Sequence, residues 1–187
     1  MDRLLAFIIG IIGGLFLLNR VERGGGIGTP VRRFKFWNQR RKAAPVNDKF
    51  LDLREKRLKD IEHLSERTML TELILTKNKL TDVTPLRELR ALKRLYLNHN
   101  AITDVSPLTA LGNLEYLDLS YNQISNVSKL ASLAKLEHLD LSDNALSDVS
   151  ALHELTGLQV LKLKGNTISE ESADALKSAL KKCKIFI

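Results

Sequence analysis

LEYLDLSYN, residues 114–122, is followed twenty-two residues later by LEHLDLSDN, residues 136–144. The two stretches differ only where Tyr116 becomes His138 and Tyr121 becomes Asp143. Within the constant frame Leu117 and Leu119 flank Asp118, and Leu139 and Leu141 flank Asp140. A strand has a side-chain period of two, so both leucines face one side and the aspartate faces the other. Outward from these stretches the frame recurs around Asn78, Asn100, Asn122, Asn144 and Asn166, which fall at intervals of 22 residues. Leucine stands eight, five and three residues before each asparagine, and Leu or Ile two residues after it. In the first four copies Val follows at the fifth position and Leu at the eighth.

A unit of this kind has one apolar edge and cannot bury it alone, so the copies must stack to make a core. Aromatic residues supply only 5% of the chain, so that core is aliphatic and mainly leucine. An asparagine between apolar neighbours is costly unless its amide satisfies backbone groups. Five of them in register are expected to form a structural ladder joining successive coils. The second half of each copy, as in Asp104-Val105-Ser106-Pro107-Leu108, reads as a capped short helical turn, with Ser106 as the cap and Pro107 as the first helical residue.

These features resemble the leucine-rich repeat family, in its 22-residue class with the LxxLxLxxNxL signature. Bacterial internalins and the leucine-rich regulators of eukaryotic phosphatases share that class. The resemblance covers residues 50–187. It implies an α/β solenoid of horseshoe form, with a parallel β-sheet on the concave face and short helical turns on the convex face. It also implies protein–protein interaction as the role.

Both ends depart from the frame. Residues 50–69 keep Leu51, Leu53, Leu58, Ile61 and Leu64 in register, but Lys56 stands where the asparagine would be, so a degenerate N-terminal cap is expected. Regular repeats should span 70–168. In 169–187, Ser169 can cap a helix with Glu170 and Glu171 in its first turn. Ala173, Leu176, Leu180 and Cys183 lie along one face, and Lys177, Lys181 and Lys182 sit near its negative end. Lys184 to Ile187 should add a last short strand behind this capping helix.

The variable letters fall into columns across the sheet. One runs Glu72, Arg94, Tyr116, His138, Val160, and the next Ile74, Tyr96, Asp118, Asp140, Lys162. A third runs Thr76, Asn98, Ser120, Ser142, Lys164, and a flanking one Lys77, His99, Tyr121, Asp143, Gly165. All three tyrosines of the chain land here, and tyrosine is enriched at binding hot spots. The expected protein-binding patch is Arg94, Tyr96, His99, Tyr116, Asp118, Tyr121, His138, Asp140 and Asp143.

The same face does not read as a catalytic or metal site. His138 near Asp118 and Asp140 is the only suggestive grouping, and no HExxH, Walker loop, G-x-S-x-G or Cys/His metal spacing occurs. An open sheet face is also unlike the concave pockets that exclude water around chemistry. No enzyme activity, cofactor or metal is therefore expected. The lone Cys183 allows no intrachain disulfide and leans toward a reducing compartment. Asn126-Val127-Ser128 matches a glycosylation acceptor that matters only in a secretory lumen.

Charge divides the chain. Its net charge of +7 resides wholly in residues 1–49, and residues 50–187 are neutral, which argues against nucleic acid as the partner of the repeats. Leu4 to Leu18, LLAFIIGIIGGLFLL, has no charged or hydrogen-bonding side chain and would be about 22 Å long as a helix. That length is short for a hydrocarbon core of about 30 Å, but Arg3 and Arg20 can snorkel. The following NRVERGGG lacks an A-x-A-like cleavage site, so an uncleaved signal-anchor over 1–20 is expected rather than a removed signal. Arginines and lysines crowd the flank after the span, which places the repeats on the cytoplasmic side. Residues 21–49 form a basic linker in which RRFKFWNQRRK, residues 32–42, can lie on anionic lipid. Two other roles fit the repeats: a regulatory subunit of a partner enzyme, and an exported adhesion module.

Overall fold

The computed structural model describes residues 49–187. Within them lie seven short parallel strands in sequence order: β1 (Phe50–Asp52), β2 (Glu72–Ile74), β3 (Arg94–Tyr96), β4 (Tyr116–Asp118), β5 (His138–Asp140), β6 (Val160–Lys162) and β7 (Lys184–Phe186). The register advances one repeat per strand, so Leu73, Leu95, Leu117, Leu139 and Leu161 are Cα partners in turn. This is the open parallel sheet of a leucine-rich repeat horseshoe.

The strands stay three residues long because the chain must bend at both ends to return to the next coil. On the inner side the L-x-L leucines, including Leu95, Leu97, Leu117 and Leu119, are fully buried. The frame leucines that precede each strand and the Val and Leu that follow it join them in one continuous aliphatic core. Full burial of a leucine contributes roughly 1.5–3 kcal/mol, and every coil repeats the same set.

Opposite the sheet the chain forms 3-10 turns over Glu62–Leu64, Thr84–Glu88, Ser106–Ala110, Ser128–Ser132 and Ser150–Glu154. Their capping differs from the sequence expectation. Ser106 is the first helical residue and Val105 stands at the cap position without a side-chain cap bond. The backbone N–H of Ser106 donates to Asp104 Oδ1 at 2.8 Å. Asp82, Asn126 and Asp148 accept in the same way from Thr84, Ser128 and Ser150. The capping oxygen therefore comes from two residues earlier, because an Asx turn reaches a backbone two residues on. Pro85 and Pro107 lie in the first turn, where the missing N–H deprives no helical bond.

The asparagines sit where each strand turns away. Asn122 Nδ2 donates to the carbonyls of Leu119 (2.9 Å) and Leu97 (3.1 Å), while its Oδ1 accepts from the N–H of Ile102 (3.0 Å). One amide thus ties its own coil to the preceding one. Asn100, Asn144 and Asn166 repeat the pattern. Asn78 does the same toward the first coil, where its Oδ1 accepts from Lys56 and Leu58. Lys56 takes the equivalent place in the first coil, where its backbone N–H donates to Asn78 Oδ1 at 3.1 Å.

The last coil is covered by α1 (Glu170–Ala179), whose cap Ser169 accepts from the N–H of Ser172 at 3.2 Å. Ala173, Leu176 and Leu180 are buried beneath it, and Cys183 is partly buried against the core. Burial pushes the Cys183 thiol up, which disfavours a reactive thiolate. The apolar stretch 4–18, its flanking arginines and the basic segment 32–42 lie outside the described residues. Among the described residues no helix is long and apolar enough to cross a membrane.

Candidate protein-binding face

The parallel register sets the outward residues side by side, at the strand spacing of about 4.8 Å. Arg94, Tyr116 and His138 are neighbours in one column, and Tyr96, Asp118 and Asp140 in the next. The columns run one strand further at each end than the repeats alone indicate. Phe50 and Asp52 precede Glu72 and Ile74, while Lys184 and Phe186 follow Val160 and Lys162. The register of Leu51 and Leu53 carried the signal for the first pair.

The aromatic residues gather into two groups. Tyr96 and Tyr116 meet diagonally across β3 and β4, with ring centroids 4.9 Å apart and planes tilted by 37°. The Tyr116 ring then faces His138 at 5.9 Å. His99 and Tyr121 stack separately at 4.3 Å, with planes 8° apart. Tyr96, Tyr116 and His138 are half-buried, whereas Tyr121 is 50% exposed. One run therefore crosses the sheet while the other pair lines its edge.

That edge column has an unusual backbone. Glu55, Lys77, His99, Tyr121 and Asp143 all have φ between 53° and 59°, and Gly165 has φ 79°. From Lys77 onward the left-handed turn lets the following asparagine point back into the coil. In return the N–H of His99 reaches the carbonyl of Ser120, and that of Tyr121 the carbonyl of Ser142. Nothing in residues as varied as these announces the conformation. At Gly165 a side chain would also run into the Asp143 carboxylate.

The carboxylates have different surroundings. Asp118 Oδ1 accepts from both the backbone N–H (3.0 Å) and the hydroxyl (2.7 Å) of the buried Ser120. Asp140 Oδ1 accepts from the N–H of Ser142 at 3.0 Å, and its Oδ2 pairs with Lys162 Nζ at 3.0 Å. Both aspartates thus brace the chain as it leaves the strand. Arg94 faces Glu72 at 3.8 Å. Burial raises the Asp118 carboxyl above its ordinary range against the lowering effect of Ser120. His138 makes no hydrogen bond or ion pair with either aspartate, and no metal-binding cluster occurs among the described residues.

Burial, reinforced by the Asp118 charge, pushes the Tyr116 phenol up to about 12. Burial raises Tyr96 also, and Tyr121 is raised by hydrogen bonding to Asp143. A raised folded-state value keeps the protonated form, so this contribution to stability is complete below about pH 10 and is lost as pH rises through about 12. Alkaline titration followed by ultraviolet absorbance should show all three phenols ionising later than in the urea-unfolded chain. Tyr116→Phe should remove the latest transition. A single unshifted transition near 10 would contradict this packing.

The chain belongs to the leucine-rich repeat family: its family model matches residues 68–124, 90–146 and 113–168, together more than half the sequence. Among solved structures it is similar to an internalin of Listeria monocytogenes, InlF, at 32% identity and a TM-score of 0.70 over 73% of this chain and 40% of that one. Internalin C2 of the same organism matches at 39% identity and a TM-score of 0.67, over 73% of this chain and 58% of its own. A leucine-rich repeat protein of Leptospira interrogans matches at 29% and 0.69, over 74% and 36%. The chain thus spans between about a third and three fifths of these relatives. Comparison with curated protein sequences returns no significant match. The domain is a leucine-rich repeat domain related to internalins, of a kind that typically binds proteins without catalysis.

Proposed function

We propose that this chain is a non-enzymatic, membrane-tethered adaptor that presents its concave sheet to a protein partner. The observation that carries the binding face is the aromatic run Tyr96–Tyr116–His138, half-exposed on a shallow sheet with polar residues around it. Aromatic rings fixed by stacking lose little freedom on binding, which suits them as anchors in an interface. The face lacks the enclosing walls that chemistry requires. Residues 4–18 supply the tether, and the basic flank after them keeps the repeats in the cytoplasm, with 32–42 close to anionic headgroups. The test is capture of partners from detergent extract by the full chain and by its Tyr96→Ala/Tyr116→Ala variant. Equal capture by the two proteins removes this face from consideration.

A second reading, an exported surface module, is favoured by the likeness to internalins at 32% and 39% identity. Protease added to intact cells separates the two. Under the first reading the repeats are cleaved only after the membrane is opened. Cleavage in intact cells supports the second.

A further inference from the structure

We infer that the occupant of the concave sheet is an extended segment of a partner protein, with a cationic side chain set over Asp118 and an acidic one three residues away, over β6. This deepens the protein-binding reading above and rests on it.

Several charges on this face have no direct partner. Asp118 Oδ1 is occupied by both groups of Ser120, which fixes the carboxylate in place. Among the described residues its Oδ2 accepts no hydrogen bond and makes no ion pair, and the Lys162 charge reaches it only at a distance, although the side chain is half-buried and burial disfavours its charge. The next carboxylate in the column is different, because Asp140 already holds Lys162 at 3.0 Å. An incoming cation would restore to Asp118 what Lys162 gives Asp140. The rings of Tyr116 and Tyr96 lie beside it, and a planar guanidinium can stack on such a face while donating to a carboxylate. Arginine fits this place better than lysine.

The opposite charge lies further along the same face. Lys164, just after β6, and Lys184 on β7 are exposed and form no ion pair among the described residues. Between them Lys162 is held by Asp140. The face therefore passes from a carboxylate with one unoccupied oxygen on β4 to lysines without a direct partner around β6 and β7, and a partner segment of matching polarity would meet both. Two strand spacings are about 10 Å. An extended chain in polyproline II conformation rises about 3.1 Å per residue with three residues per turn, so side chains three apart face the same side about 9 Å from each other. A segment crossing the strands thus carries its two charges three residues apart. Nucleic acid, with anionic charge alone, would be repelled at Asp118.

The experiment is selection of random twelve-residue peptides displayed on phage against the full chain in detergent micelles. Enriched sequences should place Arg or Lys three residues from Asp or Glu. A synthetic member should lose at least about tenfold in affinity on Asp118→Asn, and as much on Lys164→Glu/Lys184→Glu, which is more than about 1.4 kcal/mol for each. Asp118→Asn keeps the oxygen that accepts from Ser120, and unchanged thermal melting confirms that fold. Enriched peptides without the charge pair overturn the inference. So does affinity that is unmoved by the charge variants but falls on Tyr96→Ala/Tyr116→Ala, and in that case the protein-binding face stands. No enrichment, or peptides indifferent to both tyrosines, overturns that reading too.

Discussion

Asn122→Ala is expected to destabilise the repeat domain by about 3–5 kcal/mol, from a total of order 5–15 kcal/mol for a domain of this kind. The change removes one side chain and strands three backbone groups: the N–H of Ile102 and the carbonyls of Leu97 and Leu119. A buried group left without its partner costs about 1–3 kcal/mol, more than the hydrogen bond was worth while it existed. Some relief comes from water, since Asn122 retains 9% of its exposure at the bend. Its two partner coils lie in the middle of the stack, so the weakened interface also divides the cooperative unit. Urea unfolding followed by circular dichroism should show a lower midpoint and a broader transition. Asn126→Ala is the matched control, because that exposed side chain caps one turn only and should cost about 1 kcal/mol. A loss at Asn122 no larger than at Asn126 would mean that the ladder is ornamental.

Removing Tyr96 and Tyr116 together should weaken partner binding by roughly 30- to 150-fold, about 2–3 kcal/mol, with little change in folding stability. Tyr116 lies between Tyr96 and His138 in the aromatic run, so its loss frees both neighbours. The double variant thereby removes contact area and also the rigidity that makes the remaining area useful. Stability should hold because neither ring belongs to the leucine core. Titration calorimetry with a partner captured by the wild-type chain gives the affinity, and a thermal melt gives the stability. Tyr121→Ala is a useful contrast, since its ring pairs with His99 outside the run. An affinity within about twofold of wild type for the double variant would locate binding elsewhere on the molecule.

How much of this was legible beforehand varies with the kind of residue. Leu95 and Leu97 declare their burial through spacing alone, and Asn100 declares a polar group that must be satisfied. Ser106 misled, because serine, aspartate and asparagine are all good caps, and only geometry decides which oxygen reaches the N–H. The aromatic partners Tyr96 and Tyr116 were placed in neighbouring columns but not in contact. Their meeting depends on how far each ring leans across the register. The inequality between Asp118 and Asp140 was not visible either, since both occupy the same letter of LDLS, yet Asp140 pairs with a lysine one strand further on while Asp118 accepts the hydroxyl of Ser120. Phe50 and Phe186 joined the face only once β1 and β7 were seen to continue the sheet.

The sequence by itself determined the repeating coil, the direction of its apolar side and the ladder of amides. Those follow from local periodicity and from the cost of a buried unpaired polar group, and both are properties of single residues in order. Only the tertiary structure decided the left-handed edge column, the grouping of the rings and the spare oxygen of the half-buried Asp118 carboxylate. Each of these is set by distances between groups about twenty residues apart, where a shift of about one ångström makes or breaks a hydrogen bond.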